Sequence, residues 1–421
     1  MSNTIKPRPL KGFRDFLPEE LRFRKQLFKV FEGIFEKYGY EPLETPALEY
    51  FDTLMGKYGE EEKLVYQFED FGGRKVAMKY DLTVPTARVL AQYPDKIRLP
   101  WKKYQIQPVW RADNTQKGRF REFYQCDVDV VGVRSMLVEA ELLKLAIELF
   151  EKLGFKEFII RINSREILGA IAKYAGSEDK FFDIVVAIDK WDKRTPEETK
   201  QDLLSRGFSE RQIGMIFECI TLQGDTSLKK LENLGSKIGS ISGGARGIRD
   251  LEEIIKLVDM ETYIKYDPTI ARGLAYYTGP IYEVTVIDGG VGSIAGGGRY
   301  DKLIGSFLGQ ELPACGISFG IERIIEVIKD KGIKESALVE EKYMVALMEG
   351  FEQDAFNLAN KLRGEGKIVF LYPEVKKLSK QFEYADKKGF TKVYLIGEEE
   401  KKNREVTVRD MKSGQQETYN I

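Results

Sequence analysis

The chain has 421 residues, of which 43% are hydrophobic and 32% charged, and its formal net charge is −1. That balance excludes a disordered or collagen-like chain and leaves room for two or three domains at roughly 100–200 residues each. No global field draws the protein toward nucleic acid, so any such contact must come from local patches.

The sequence contains no histidine. His-based catalytic triads and His-ligated metal sites are therefore excluded. Cys126, Cys219 and Cys315 form no CxxC pair, which argues against a disulfide scaffold or a Cys-rich zinc site and fits a reducing compartment. The segment MSNTIKPRPLKGF lacks the apolar core of a signal peptide. No stretch approaches the roughly 20 apolar residues of a membrane span. A cytoplasmic protein without a membrane anchor is expected.

In chain order, Pro18 with Glu19 and Glu20 opens a helical pattern carried by Leu21, Leu27, Phe28, Phe31, Ile34 and Phe35, and Gly39 closes it. Tyr40 to Ala47 reads as extended, broken by Pro42 and Pro46, and residues 76–80 alternate as a strand. Residues 103–131 read as two long strands around the polar loop DNTQKG. A helix is predicted over 136–153 and a strand over 157–162. From about 172 to 258 the pattern turns helical and heavily charged, as in an inserted module. Strand character resumes at 281–288, and ACGISFGIERIIEVI reads as strand then helix. Residues 331–342 suit a linker. Strands and helices then alternate over 343–421, which implies a small α/β domain.

Several groupings could carry chemistry. Arg111 is placed at the end of the first long strand, and Arg119 and Arg121 at the start of the second. A planar guanidinium stays charged and can grip phosphate through two bonds, although an arginine on a strand more often belongs to a solvated face. Gln125, Asp127 and Asp129 share one strand face with Arg119, Arg121 and Phe123, because side chains alternate. Such a row lines a polar cleft or faces solvent. In ARGLAYYTGPIYE, Arg272 beside two tyrosines is either a structural cluster or a ligand-reading group. The three glycines of SIAGGGRYD suit close backbone approach, or only a loop. In GISFGIERI, Gly316 and Gly320 would let a flat ligand lie against the backbone, with Arg323 over its face. The GK[ST] ending of a phosphate-binding loop is absent.

Together these strings resemble the class II aminoacyl-tRNA synthetases. GYEPLETPALEY is similar to motif 1, VWRADNTQKGRFREFYQCDVDVVG to motif 2 and ACGISFGIERI to motif 3. KGFRDFLPEE, YDLTVP, REFYQCDVDVVG, ARGLAYYTG and AGGGRYD, in that order, resemble the histidyl family in particular. The resemblance implies an α/β fold with an α+β catalytic core over 1–330: an antiparallel sheet flanked by helices, with the helical insertion. It implies an anticodon-binding domain over 343–421. That segment holds 14 basic and 13 acidic residues, so its composition alone would not reveal such a role. Lys376, Lys377, Lys380, Lys387 and Lys388 cluster around one helical pattern there, which could equally be a solvated face.

The same resemblance implies roles for single residues. Asp81, Leu82, Thr83, Gln125, Asp129, Arg272, Tyr276 and Tyr277 would form the histidine site. Asp81, Thr83 and Gln125 would hold the α-amino group, and Asp129 and Tyr277 would bracket the ring nitrogens. Arg111, Asp113, Arg119 and Arg323 would bind ATP, with Arg111, Arg272 and Arg323 catalytic. Gln116 would face the acceptor end of the tRNA. ATP enters as substrate with Mg²⁺. Histidine, a histidine tRNA and a second copy of the chain, through Pro46 of motif 1, are the expected partners. The implied activity is histidine–tRNA ligation. The alternative is a non-catalytic regulatory subunit of ATP phosphoribosyltransferase with the same fold. Lys79 and Ala275 depart from the residues usual in the family. The lack of histidine is either compositional drift or a benefit to an enzyme that supplies histidyl-tRNA.

Overall fold

A computed structural model of the chain describes residues 6–271, 276–333 and 341–420. The chain divides into two compact units, Met1–Glu335 and Ser336–Ile421.

The first unit is built on an eight-stranded sheet. Its strands run in the order Glu41–Pro42, Trp101–Trp110, Glu122–Val131, Ala314–Gly320, Ala295–Arg299, Pro280–Val286, Phe158–Ser164, Ile264–Tyr266. The two outermost pairings are parallel and the six strands between them are antiparallel. The stretch with three glycines, which the sequence left open as a loop, is a buried central strand. Conversely, Arg119 and Arg121 precede the second long strand, which begins at Glu122.

One face of the sheet is apolar and carries helices. Phe319 is fully buried. It meets Phe31 and Phe35 of helix Pro18–Lys37 at 5.6 and 6.0 Å between ring centroids, and Phe150 of helix Leu137–Lys152 at 5.8 Å. These tilted and edge-on contacts add to the burial of four large rings. A smaller antiparallel sheet, Leu48–Tyr50, Lys75–Met78 and Gln67–Glu69, lies beside the core. Val76 and Ala77 are both buried there, so the expected alternation over 76–80 is not observed.

The helical insertion starts earlier than the charge pattern implied. Helices run from Arg165–Tyr174 through Gly244–Val258. Ser164, the last strand residue, caps the first of them by accepting a hydrogen bond from the Glu166 N–H. Thr195 with Glu198 and Ser209 with Gln212 form reciprocal caps that begin two more.

In the second unit, strands Ile368–Leu371, Lys342–Val345 and Lys392–Leu395 are parallel neighbours, and Glu405–Asp410 and Gln416–Asn420 continue the sheet antiparallel. The buried Gln381 side chain bonds both the N–H and the carbonyl of Leu347, at 2.9 and 2.7 Å. Of the clustered lysines, Lys380 and Lys387 both pair with Glu383.

Removing the ring at the centre of the apolar face tests this packing. Phe319→Ala should lower unfolding free energy by about 3–5 kcal/mol, measured by denaturant titration.

Candidate active site

The opposite sheet face is polar, and cross-strand register orders it in rows. Lys103, Asp129, Gly316 and Gly298 occupy one row. Gln105, Asp127, Ser318 and Gly296 occupy the next, and Gln107, Gln125 and Gly320 a third. The glycines keep the floor low at the middle of the sheet. A Cβ on Gly316 would lie 2.0 Å from Asp129 Oδ1 and 2.7 Å from the Val128 carbonyl. Above this floor is a cavity of ≈ 360 Å³.

Asp81, Thr83, Arg111, Asp113, Arg119, Gln125, Asp129, Tyr276, Tyr277 and Arg323 all line this cavity. Gln125, Asp127 and Asp129 are 8%, 2% and 3% exposed, so the solvent-facing alternative for this strand falls. Leu82 is fully buried and Gln116 is exposed on the loop tip, where Gln116 and Arg119 exchange backbone hydrogen bonds. Neither side chain lines the cavity. Arg272 and Ala275 lie outside the described residues.

At one end of the cavity the carboxylates differ in their partners. Asp129 Oδ1 accepts from the Tyr300 hydroxyl at 2.6 Å. Its Oδ2 lies 2.6 Å from the buried Lys103 Nζ. Lys103 Nζ also donates to Gln105 Oε1 at 2.6 Å, and a ladder of amides continues from Gln105 Nε2 to Gln107 Oε1 and from Gln107 Nε2 to the Thr45 carbonyl. Asp81 precedes helix Thr83–Gln92 and accepts from the Val84 N–H and the Tyr58 hydroxyl at 3.1 Å each, and from the Tyr276 hydroxyl at 3.4 Å. Burial pushes the Asp81 carboxyl above its ordinary range. Burial, followed by the charge of Asp129, pushes Asp127 up to about 7. Lys79 is buried behind the site and donates to the Thr45 carbonyl at 3.0 Å; burial lowers it to about 8.

The other end is cationic. Arg111 Nε donates to the Tyr80 carbonyl at 3.0 Å, and its guanidinium stands 4.2 Å from the Tyr80 ring centroid. Arg323, in the first turn of helix Ile321–Asp330, donates from Nη1 to the Ser293 carbonyl at 2.5 Å. The preceding Glu322 is held by Arg24 at 2.7 and 2.9 Å and by Arg14 at 2.6 Å. Arg14 also covers Phe120 of the long loop, at 3.2 Å from its ring centroid. The N-terminal segment thus ties the loop to the start of the Arg323 helix. Phosphate would meet fixed guanidinium groups here, with little reorganisation.

The sequence reading missed Lys103, Tyr300 and Ser318, and also Asp189, which reaches the cavity wall from the helical insertion. A signal existed for Lys103: in KYQIQ, Lys103, Gln105 and Gln107 alternate with period two.

A family model for histidyl-tRNA synthetase matches residues 12–324, and one for an anticodon-binding domain matches 338–421. The chain belongs to the histidyl-tRNA synthetase family. Among its relatives, a histidine–tRNA ligase of Christiangramia forsetii is 38% identical, over 98% of this chain and 96% of its own length. A histidine–tRNA ligase of Phocaeicola vulgatus is 39% identical, with the same coverage of 98% and 96%. The crystal structure of histidyl-tRNA synthetase from Nostoc sp. PCC 7120 matches with a TM-score of 0.89 and 30% identity, covering 99% of this chain and 97% of that one. The class II core, a mixed sheet flanked by helices with a C-terminal anticodon-type domain, is thereby the fold of this synthetase family member.

The raised Asp127 makes stability depend on pH. Folded, this carboxyl keeps a proton up to about pH 7, whereas the unfolded chain releases it near 3.9. The folded state therefore binds more protons between those values, and stability falls as pH rises through that window. Asp127→Asn removes the effect. Its melting temperature should rise relative to wild type progressively from pH 4 to pH 7, as followed by thermal unfolding.

Proposed function

We infer that the chain is a histidine–tRNA ligase. It uses ATP to convert L-histidine to histidyl-adenylate and pyrophosphate, then passes the histidyl group to the 3′-terminal ribose of a histidine tRNA. The observation that carries this reading is one cavity with guanidinium groups at one end and a Tyr300- and Lys103-supported carboxylate at the other, in a chain of this family.

The substrate carboxylate attacks the α-phosphorus of ATP, and pyrophosphate leaves in line. Arg111 and Arg323 neutralise the phosphoryl charge, with Arg272 as a third guanidinium. Arg119 and Asp113 place the nucleotide. Mg²⁺ accompanies ATP and spreads the charge of its phosphates. Positioning and charge neutralisation suffice for such a step, and no histidine side chain is required.

A neutral imidazole offers one donor and one acceptor. Asp129 accepts from the ring N–H and the Tyr277 hydroxyl donates to the other nitrogen. Asp81, Thr83 and Gln125 receive the α-amino group, with Leu82 and Tyr276 shaping the same wall. Rejection of analogues lacking those polar atoms can reach roughly 10⁴–10⁵ in such a site. Gln116, exposed at the loop tip, meets the tRNA acceptor end. Residues 343–421 bind the anticodon, 1–330 form the catalytic domain with the helical insertion from Arg165 to Val258, and 331–342 link the two. Leu48, Tyr50 and Phe68 are 43%, 61% and 49% exposed on and beside the motif 1 strand, which supports a homodimer through this region. Among the described residues no helix is long and apolar enough to cross a membrane, and the three free, buried cysteines suit cytoplasmic placement.

The test is histidine-dependent exchange of labelled pyrophosphate into ATP, with the other amino acids as controls. Arg111→Ala should slow exchange about 10²–10³-fold with the melting temperature retained. Asp129→Ala should weaken histidine binding far more than ATP binding. Exchange driven equally by several amino acids would contradict the reading.

A further inference from the structure

The cavity holds one buried carboxylate for which the residue roles above have no use. Asp127 is 2% exposed and lies between Gln125 and Asp129 on the same strand face. Ser318, its cross-strand neighbour, hydrogen-bonds one side of the carboxyl. Its Oδ1 is buried without a partner, and so is Gln125 Oε1. The Gln125 amide is oriented by its own Nε2, which donates to Ser318 Oγ at 2.6 Å, so the oxygen is turned away from Ser318. Two orphaned acceptors on successive same-face positions, about 6.5 Å apart at the backbone, thus line one cavity. Buried polar atoms are rarely left unpaired.

We propose that Asp127 is a further substrate-binding residue: its free oxygen joins Gln125 Oε1, beside Asp81 and Thr83, in receiving the α-ammonium group of the amino acid. This rests on the reading of the cavity as the histidine site and adds a charge partner within it.

Three features select an ammonium over the ring. The first is order along the strand. Trp110 pairs with Glu122 at the end where Arg111 stands, and Phe123, Gln125, Asp127 and Asp129 step away from it in turn. The substrate carboxylate must lie at the arginine end, so the adjacent α-amino group falls nearer Gln125 and Asp127 than the ring does. The second is charge. Asp129 already has Lys103 and Tyr300 as partners, whereas Asp127 Oδ1 has no hydrogen-bond partner. The Lys103 charge reaches Asp127 as well, but its ammonium is bonded to Asp129 and Gln105. The third is donor count. An ammonium brings three donors and can satisfy both orphaned oxygens, whereas a neutral imidazole brings one.

The proposal is tested by comparing two ligands in binding measurements: histidine, and imidazolepropionate, which keeps the ring and carboxylate but lacks the amino group. In Asp127→Asn, histidine affinity should fall about tenfold to a hundredfold, the size of a charge-assisted hydrogen bond, while imidazolepropionate affinity stays equal or improves. Asp127→Ser carries the same comparison independently of the amide. Asp127→Glu, which restores the charge, should recover part of the preference for histidine. Equal weakening of both ligands would mean that Asp127 only shapes the pocket, and would overturn the proposal, as would unchanged histidine affinity. A wild-type chain that binds imidazolepropionate but not histidine would also overturn it. A wild-type chain that binds neither would instead bring down the histidine reading itself.

Discussion

Carboxylates buried on the polar face of the central sheet set the terms for the rest of the molecule. An ionised carboxylate without a partner in such a place gives up its charge by taking a proton. The chain answers differently at each position. Asp129 is matched by the Lys103 ammonium and the Tyr300 phenol. Asp127, buried beside the charge of Asp129 and bonded only by Ser318, is pushed toward neutrality. Lys103 is in turn held by Gln105, whose amide leads through Gln107 to Thr45. The ladder behind the cavity is therefore part of the site: it fixes the ammonium that faces Asp129. Breaking a buried pair by deleting one partner typically costs about 3–5 kcal/mol, so this arrangement has little freedom to vary one residue at a time.

The opposite faces of the same strands explain how the polar row is kept rigid. Cys126, Val128 and Val130 are buried on the side that carries the helices, while Gln125, Asp127 and Asp129 line the cavity. Phe319 lies on the helix face and Ser318 on the cavity face of the neighbouring strand. Aromatic packing thus fixes the backbone from which the polar groups project. At the guanidinium end the fixing is ionic. Glu322 gathers Arg14 and Arg24, and Arg14 covers Phe120, so the segment before the first helix braces the loop and the helix that carry Arg119 and Arg323.

The elements with strong periodicity were legible from the residues alone. The two long strands, the helix over 137–152 and the strand-to-helix passage at Ala314–Asp330 follow from alternation and helical spacing. The helix Thr83–Gln92 gave no clear signal, because its N-cap position is Leu82, which offers no capping side chain, and the carboxylate that receives the Val84 N–H comes from Asp81 one residue earlier. The glycine-rich strand Ala295–Arg299 was open to a loop reading, since only its neighbours on both sides show why side chains would not fit: a Cβ on Gly297 would meet the Gly316 carbonyl at 1.9 Å. For the site, motif residues came together in one cavity, yet Lys103 and Tyr300 were passed over. Their importance comes from cross-strand register, which brings Lys103 opposite Asp129, and from long-range packing that places Tyr300 on the same carboxylate. Neither is a local property of the sequence.

The glycine floor leaves Asp129 its place in the cavity, and the proposed histidine site depends on it. The most direct measurement is the histidine dissociation constant of Gly316→Ala, with ATP binding and thermal melting recorded on the same protein. The added methyl would press on Asp129 Oδ1 and the Val128 carbonyl. The account predicts a folded variant that keeps its affinity for ATP and loses histidine binding at least tenfold. A folded variant with wild-type affinity for histidine would contradict it.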